Sequence, residues 1–461
     1  MKVYQMKKKE EIKMKQKPKK YFWHPMTDTR ASEQETIIIE RGEGNYIFND
    51  SGEKLLDAVG GLWCMNVGHN RKTVNDAISK QMNKLSYYQL FTNIAHPKAY
   101  ELAEKIITLA ENEDMAKVFF TSGGSDSVDT ALKITRQYWE AVEKPKKKMF
   151  ISLERAYHGM HYGGTSVGGN DLYRKFIGPT LEGCIQVSSP HKKNKWNCED
   201  PEKLTQLCIE EIVEKIDYYG ADNIAAFIME PIQGAGGIIV PPESYWPAVR
   251  EVCDQYDILL ISDEVVTGFG RSGSMFGCRG WGVKPDVMVL AKGLSSGYIP
   301  MGATVFNQRI VNGIESAENG ANIIIHGQTY SGHPLGCVAA LEVLKIVENE
   351  NLPQNAKEVG AYLLDLLKPI QSEYSEYITD VRGKGLMLAI DFEDAGNFSP
   401  EEITNNVQHV ADYAISQGVL VRDELKTIII SPSLTFTKED AKKVYTSLAN
   451  GLESLRRKNR K

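Results

Sequence analysis

The chain has 461 residues, 42% of them hydrophobic and 25% charged, with a net charge of −6. That balance is ordinary for a globular protein and favours neither nucleic acid nor a membrane surface as a partner. No apolar run is as long as a bilayer span, no signal peptide is visible, and the seven cysteines are scattered without a CxxC, which reads as reduced thiols in a cytoplasmic protein with neither a disulfide frame nor a metal site.

In chain order, residues 1–20 are lysine-rich and read as a basic, solvated tail. Residues 21–65 carry "YIFNDSGEKLLDA", which has hairpin character and is expected to join a small domain formed elsewhere. From 66 to 334 helix-like and strand-like pieces alternate. "TVNDAISKQMNKL" and "AYELAEKIITLA" have helical period; "KVFFTS" is a strand breaking into Gly123 and Gly124; "SVDTALKITRQYWEAV" is helical. "KMFISL", "IAAFIMEP", "ILLISDE" and "DVMVLA" are apolar strands, with "PEKLTQLCIEEIVEKID" and "SYWPAVREVCDQYD" as helices between them. This alternation predicts an α/β fold with a mostly parallel sheet covered by helices. Residues 335–461 change character. "LGCVAALEVLKIVENENL" reads as one long helix, followed by "VRGKGLMLAIDF", "GVLVRD" and "TIIISPSL" as strands and a closing helix, together a smaller α/β domain.

Ligands of open α/β sheets bind beyond the carboxyl ends of the strands. Five such ends carry chemistry: Ser122-Gly123-Gly124-Ser125, Tyr157-His158-Gly159, Glu230-Pro231, Asp263-Glu264 and Lys292. The glycine turn before a helix suits a phosphate, though it matches neither a Walker loop nor the dinucleotide fingerprint, and a plain turn is as good a reading of it alone. A lysine or an aspartate at the end of a buried strand is costly unless paired or used. One partner fits all three features: pyridoxal 5'-phosphate, whose phosphate needs the turn, whose pyridinium needs an acid, and whose aldehyde needs an amine. Asp263 would keep the ring nitrogen protonated. Lys292 would bond to the aldehyde and shuttle a proton, and Tyr157 would stack on the ring.

With these motifs, the sequence resembles the class III aminotransferases of pyridoxal-phosphate fold type I, in pattern the ω-amino acid and amine:pyruvate transaminases. The resemblance runs from "HPMTDTR" at His24 to the last helices, through "GLWCMNVGH", "FFTSGGSDSVDTALK", "MEPIQGAGGIIVPP", "ISDEVVTGFGRSG", "AKGLSSGYIPMGA" and "HGQTYSGHP". It implies catalytic roles for Lys292 and Asp263, and cofactor contacts from Gly124, Ser125, Tyr157, Val265 and Glu230. It implies that Thr329 reaches the cofactor phosphate of a neighbouring subunit in a homodimer with its site at the interface. It further implies a substrate pocket shaped by Trp63 and an arginine, Arg422, that holds a carboxylate. Three positions depart from the family's pattern. Gly123 stands where a hydroxyl is usual, Gln328 where an aromatic is common, and Met160 follows "YHG" where the diaminopelargonate-forming branch carries aspartate.

The activity so implied moves an amino group from a terminal amine or ω-amino acid to a keto acid, with pyruvate as the expected acceptor. β-Alanine, taurine, γ-aminobutyrate, putrescine and simple amines are all open as donors. The alternatives are diaminopelargonate synthase or an aminomutase of the same family, and a catalytically inactive homologue serving as a binding or assembly subunit.

Overall fold

The computed structural model describes residues 21–30, 36–392 and 398–460. The lysine-rich tail read over 1–20 lies outside them. Its centre is a seven-stranded sheet whose spatial order is Met115–Thr121, Gly302–Asn307, Val287–Leu290, Leu259–Asp263, Ile224–Met229, Met149–Leu153, Cys184–Val187. Only Gly302–Asn307 runs against the rest, pairing antiparallel with both neighbours. The strands from Val287–Leu290 to Cys184–Val187 pair in parallel.

The sequence explains why this sheet is buried on both faces. Ile224–Met229, Leu259–Asp263 and Val287–Leu290 are buried at every position, as continuous apolar runs require. Alternate residues feed two cores. Leu260, Met288 and Leu290 face a cluster with Trp246 and Tyr245. Leu259, Ile261, Val287 and Val289 face one with Ile134 and Trp139 from helix Gly124–Ala141. A third cluster belongs to the C-terminal residues and takes in Leu56, Val67 and Val74 from the N-terminal part. The expected hairpin forms, with Tyr46–Asn49 antiparallel to Lys54–Asp57.

Two sequence readings are corrected. "GVLVRD" is not one strand. Val419–Leu420 pairs in parallel with Lys54–Asp57, whereas Arg422–Glu424 pairs antiparallel with Thr427–Ile430 in another sheet. The chain changes sheets at Val421, which places Arg422 at the start of a new strand. The helix expected to run through residue 352 ends at Asn349, because Asn351 adopts a left-handed φ of 49°. Leu352 then opens a second helix, Leu352–Glu373, with Pro353 in its first turn, where a missing N–H is harmless. Among the described residues no helix is long and apolar enough to cross a membrane.

Candidate active site

A cavity of about 640 Å³ opens at the carboxyl ends of the parallel strands. Its walls include Ser122 through Ser125, Tyr157, His158, Glu230, Asp263, Val265, Lys292, Trp63 and Arg422. Strand ends far apart in sequence thus meet in one space. Glu264, adjacent to Asp263, points the other way. Its carboxylate accepts from Ser262, Thr267 and the N–H groups of Gly277 and Cys278 and braces a buried loop.

Lys292 follows strand Val287–Leu290 by two residues and begins a single helical turn, Lys292–Leu294. Its φ is 42°, a left-handed conformation rare outside glycine and common at functional sites. The small residues around it are a packing requirement. A Cβ on Gly293 would come within 2.4 Å of the Asn66 amide, and Gly297 has a φ of 74°. Among the described residues the Lys292 ammonium has no hydrogen bond or ion pair; it lies 5.4 Å from the Trp63 ring centroid. Burial lowers its pKa, and the negative charge of Asp263 opposes that only in part. An amine so placed gives up its proton more readily than a surface lysine.

Asp263 is buried at the last position of its strand. One oxygen accepts from the Val265 N–H at 3.1 Å, and the other lies 2.7 Å from Nδ1 of the fully buried His158. Burial disfavours the imidazolium of His158, but the hydrogen bond and charge of Asp263 outweigh burial, so its pKa is raised. His158 stands in the "YHG" motif at a strand end, but nothing in the linear sequence assigns it a role of its own. Glu230 accepts from the backbone N–H groups of Tyr157 and Gly234 at 3.1 and 2.9 Å. Burial pushes its carboxyl up to about 7, against the pull of His158.

The cavity wall beside Val265 and Ala291 suits an anion. Helix Gly124–Ala141 starts there with no side-chain cap on its first N–H groups, which leaves donors and the positive end of the helix dipole for a ligand. The Ser125 hydroxyl accepts from the Met160 N–H and pins the facing loop. A Cβ on Gly124 would press to 3.0 Å from Val265, so glycine keeps this wall open. An uncapped helix start, a buried carboxylate, the side chains of Tyr157 and Val265, and an amine without a partner among the described residues fit a phosphorylated pyridine aldehyde in one cavity.

On the substrate side, the Arg422 guanidinium lies 5.5 Å from the Trp63 ring centroid. Arg422 is paired with Glu424, which lines the same cavity. Tyr173 also lines it and meets Tyr157 edge-on at 5.4 Å. Neither Glu424 nor Tyr173 was anticipated. Thr329 is not brought to this cavity. It is exposed in a loop whose carbonyl at 329 accepts from the Tyr87 hydroxyl.

Comparison with known proteins agrees with this geometry. The model of the family "Aminotransferase class-III" matches residues 28–452. The chain is 37% identical to a putrescine–pyruvate aminotransferase of Pseudomonas aeruginosa, over 92% of each. It is 36% identical to an adenosylmethionine-8-amino-7-oxononanoate aminotransferase of Staphylococcus aureus, over 93% of this chain and 95% of the other. Among solved structures it superposes on an amine transaminase from an uncultivated Pseudomonas species, with cofactor bound. That match has a TM-score of 0.92 and 50% identity, covering 95% of this chain and 99% of the other.

Proposed function

The chain belongs to the class III aminotransferases, and we propose that it moves an amino group from a terminal amine or ω-amino acid to pyruvate in two half-reactions. It is a pyridoxal-phosphate-dependent transaminase of fold type I. The observation that carries the proposal is the partly desolvated amine of Lys292, without a hydrogen bond or ion pair among the described residues, in one cavity with Asp263 and the start of helix Gly124–Ala141. An inactive homologue would have no use for so costly an arrangement.

When bound, the cofactor supplies an aldehyde that takes up the amino group and a ring that withdraws electron density from the carbon being deprotonated. The residues are assigned as follows. Lys292 would hold the aldehyde and would carry a proton to and from the substrate carbon. Asp263, held by His158, would face the ring nitrogen. Gly124 and Ser125 would hold the phosphate, and Tyr157 and Val265, which line the same cavity, would contain the ring. Glu230, which braces the Tyr157 backbone, keeps the wall in place. Trp63 shapes the substrate space, and Arg422 receives the carboxylate of the keto acid. Incubating the purified protein with β-alanine, taurine, γ-aminobutyrate, putrescine and simple amines, each against pyruvate and 2-oxoglutarate, tests this directly. Alanine formation from pyruvate is the expected result. Silence with every pair would defeat it.

The partner in this reading is a second copy of the chain. Segments 87–94 and 323–333 pack together through Tyr87 with Tyr330 and Phe91 against Gly327, yet they expose Phe91, Ile325 and Tyr330. Exposed apolar residues grouped this way suit an interface. Thr329 sits among them and would reach the other copy's phosphate. Thr329→Ala should then weaken cofactor retention. Mixed dimers with Lys292→Ala subunits should regain activity, because one of their two sites carries both intact residues. Mixed dimers that stay silent would place Thr329 at its own subunit's site.

A further inference from the structure

We propose that Glu424 determines specificity by docking the Arg422 guanidinium whenever the pocket holds no carboxylate, so that a keto acid must compete with Glu424 for it. This rests on the transaminase reading above, and on a contact that reading does not use. The problem it solves is one of charge. A single pocket must admit a keto acid in one half-reaction and a carboxylate-free amine in the other. An arginine left alone beside a cationic donor would be an uncompensated charge in a confined space.

The strand Arg422–Glu424 provides the compensation locally. Residues two apart on a strand project to the same face. Here Arg422 Nε donates to Glu424 Oε1 at 2.8 Å, and Nη2 donates to that same oxygen. The pair is half-buried, with side-chain exposures of 31% and 24%, and both residues line the cavity. Trp63 offers its ring to the guanidinium, and an aromatic face can support an arginine in more than one position. A partly exposed pair of this kind is weak, which is what a docking point requires. It must hold Arg422 without trapping it.

The consequence is quantitative. A ligand that binds only the released arginine has its affinity reduced by the fraction of time Arg422 is free. For a part-exposed ion pair that reduction is about two- to fivefold. Glu424→Gln keeps the shape and removes the charge, so carboxylates should bind about two- to fivefold more tightly. Removing negative charge from a cavity would favour any anion, however, so the docking claim needs a second variant. Arg422→Ala should weaken carboxylate binding about ten- to hundredfold through loss of charge-assisted hydrogen bonds. In that background Glu424→Gln should give no gain.

The test is calorimetric titration of propionate, which carries the carboxylate but no keto group, into the cofactor-loaded protein. The four forms are wild type, Glu424→Gln, Arg422→Ala and the double variant. Tighter binding in the first variant and no gain in the double variant supports the proposal. Unchanged or weaker binding in Glu424→Gln overturns it, as does wild type that fails to bind propionate. An equal gain with and without Arg422 overturns it as well, since Glu424 would then act only as a distant charge. Alanine formation by the wild type is measured separately, so failure of the transaminase reading is seen apart from failure of this one.

Discussion

Replacing Lys292 by alanine should reduce turnover by at least about 10²–10⁴-fold, the usual contribution of a positioned acid–base group, while the fold and the cavity survive. The lysine has no hydrogen bond or ion pair to lose among the described residues. The Trp63 ring contact at 5.4 Å is the interaction that goes with it. Burial lowers its pKa, so the charged amine is penalised in the folded state at every pH below its ordinary value of 10.5. Alanine removes that penalty. The melting temperature at neutral pH should therefore hold steady or rise, although residue 292 keeps its left-handed φ. Cofactor should still bind through the helix start and Asp263. Borohydride treatment followed by peptide mass analysis should attach cofactor to the Lys292 peptide in wild type and nowhere in the variant. Turnover within about tenfold of wild type would remove Lys292 from the chemistry. Loss of turnover together with unfolding would make it a structural residue.

Lys292 was legible because an ionisable residue broke an apolar run, and such a break carries its own energetic argument. The same held for Asp263, whereas the glycine turn at Gly123 and Gly124 gained its meaning only beside them. His158 and Glu424 gave no such signal. Each matters through a partner distant in space or brought near by a turn in the chain, and a linear reading ranks neither above its neighbours. Glu424 was hidden further because "GVLVRD" looks like one strand. Its division between two sheets at Val421 comes from pairing with Lys54–Asp57 and Thr427–Ile430, which are both remote or downstream. Cys184–Val187 was missed as an edge strand of four residues, and Gly302–Asn307 as a strand hidden behind the "SSGYIPM" turn. Helix Leu352–Glu373 carries Pro353 and Pro369, which argue against a helix until the first is seen in its opening turn. The parallel sheet was the plainest feature because strands buried on both faces leave continuous apolar runs.

Asp263→Asn should lower the rate by about 10²–10³-fold, the scale of losing one preorganised electrostatic group, with little change in shape. The amide oxygen can still accept from the Val265 N–H, and its NH₂ can face a neutral His158 at the present 2.7 Å. What disappears is the negative charge assigned to the ring nitrogen, and with it the interaction that favours the protonated form of His158. In wild type the pKa of His158 is raised above 6.5. The stability from its pair with Asp263 is therefore fully present below pH 6.5 and is lost as pH rises through the raised value. In the asparagine variant burial acts alone on His158 apart from Glu230, so its pKa should fall below 6.5 and the buried ring should stay neutral. The difference in melting temperature between wild type and variant should accordingly be largest on the acid side and shrink above neutrality. NMR titration of the His158 ring should show its charged form persisting to higher pH in wild type than in the variant. A variant within about threefold of the wild-type rate would mean that Asp263 only orients His158. A melting difference that grew with pH would mean that the pair is not the charged one described here.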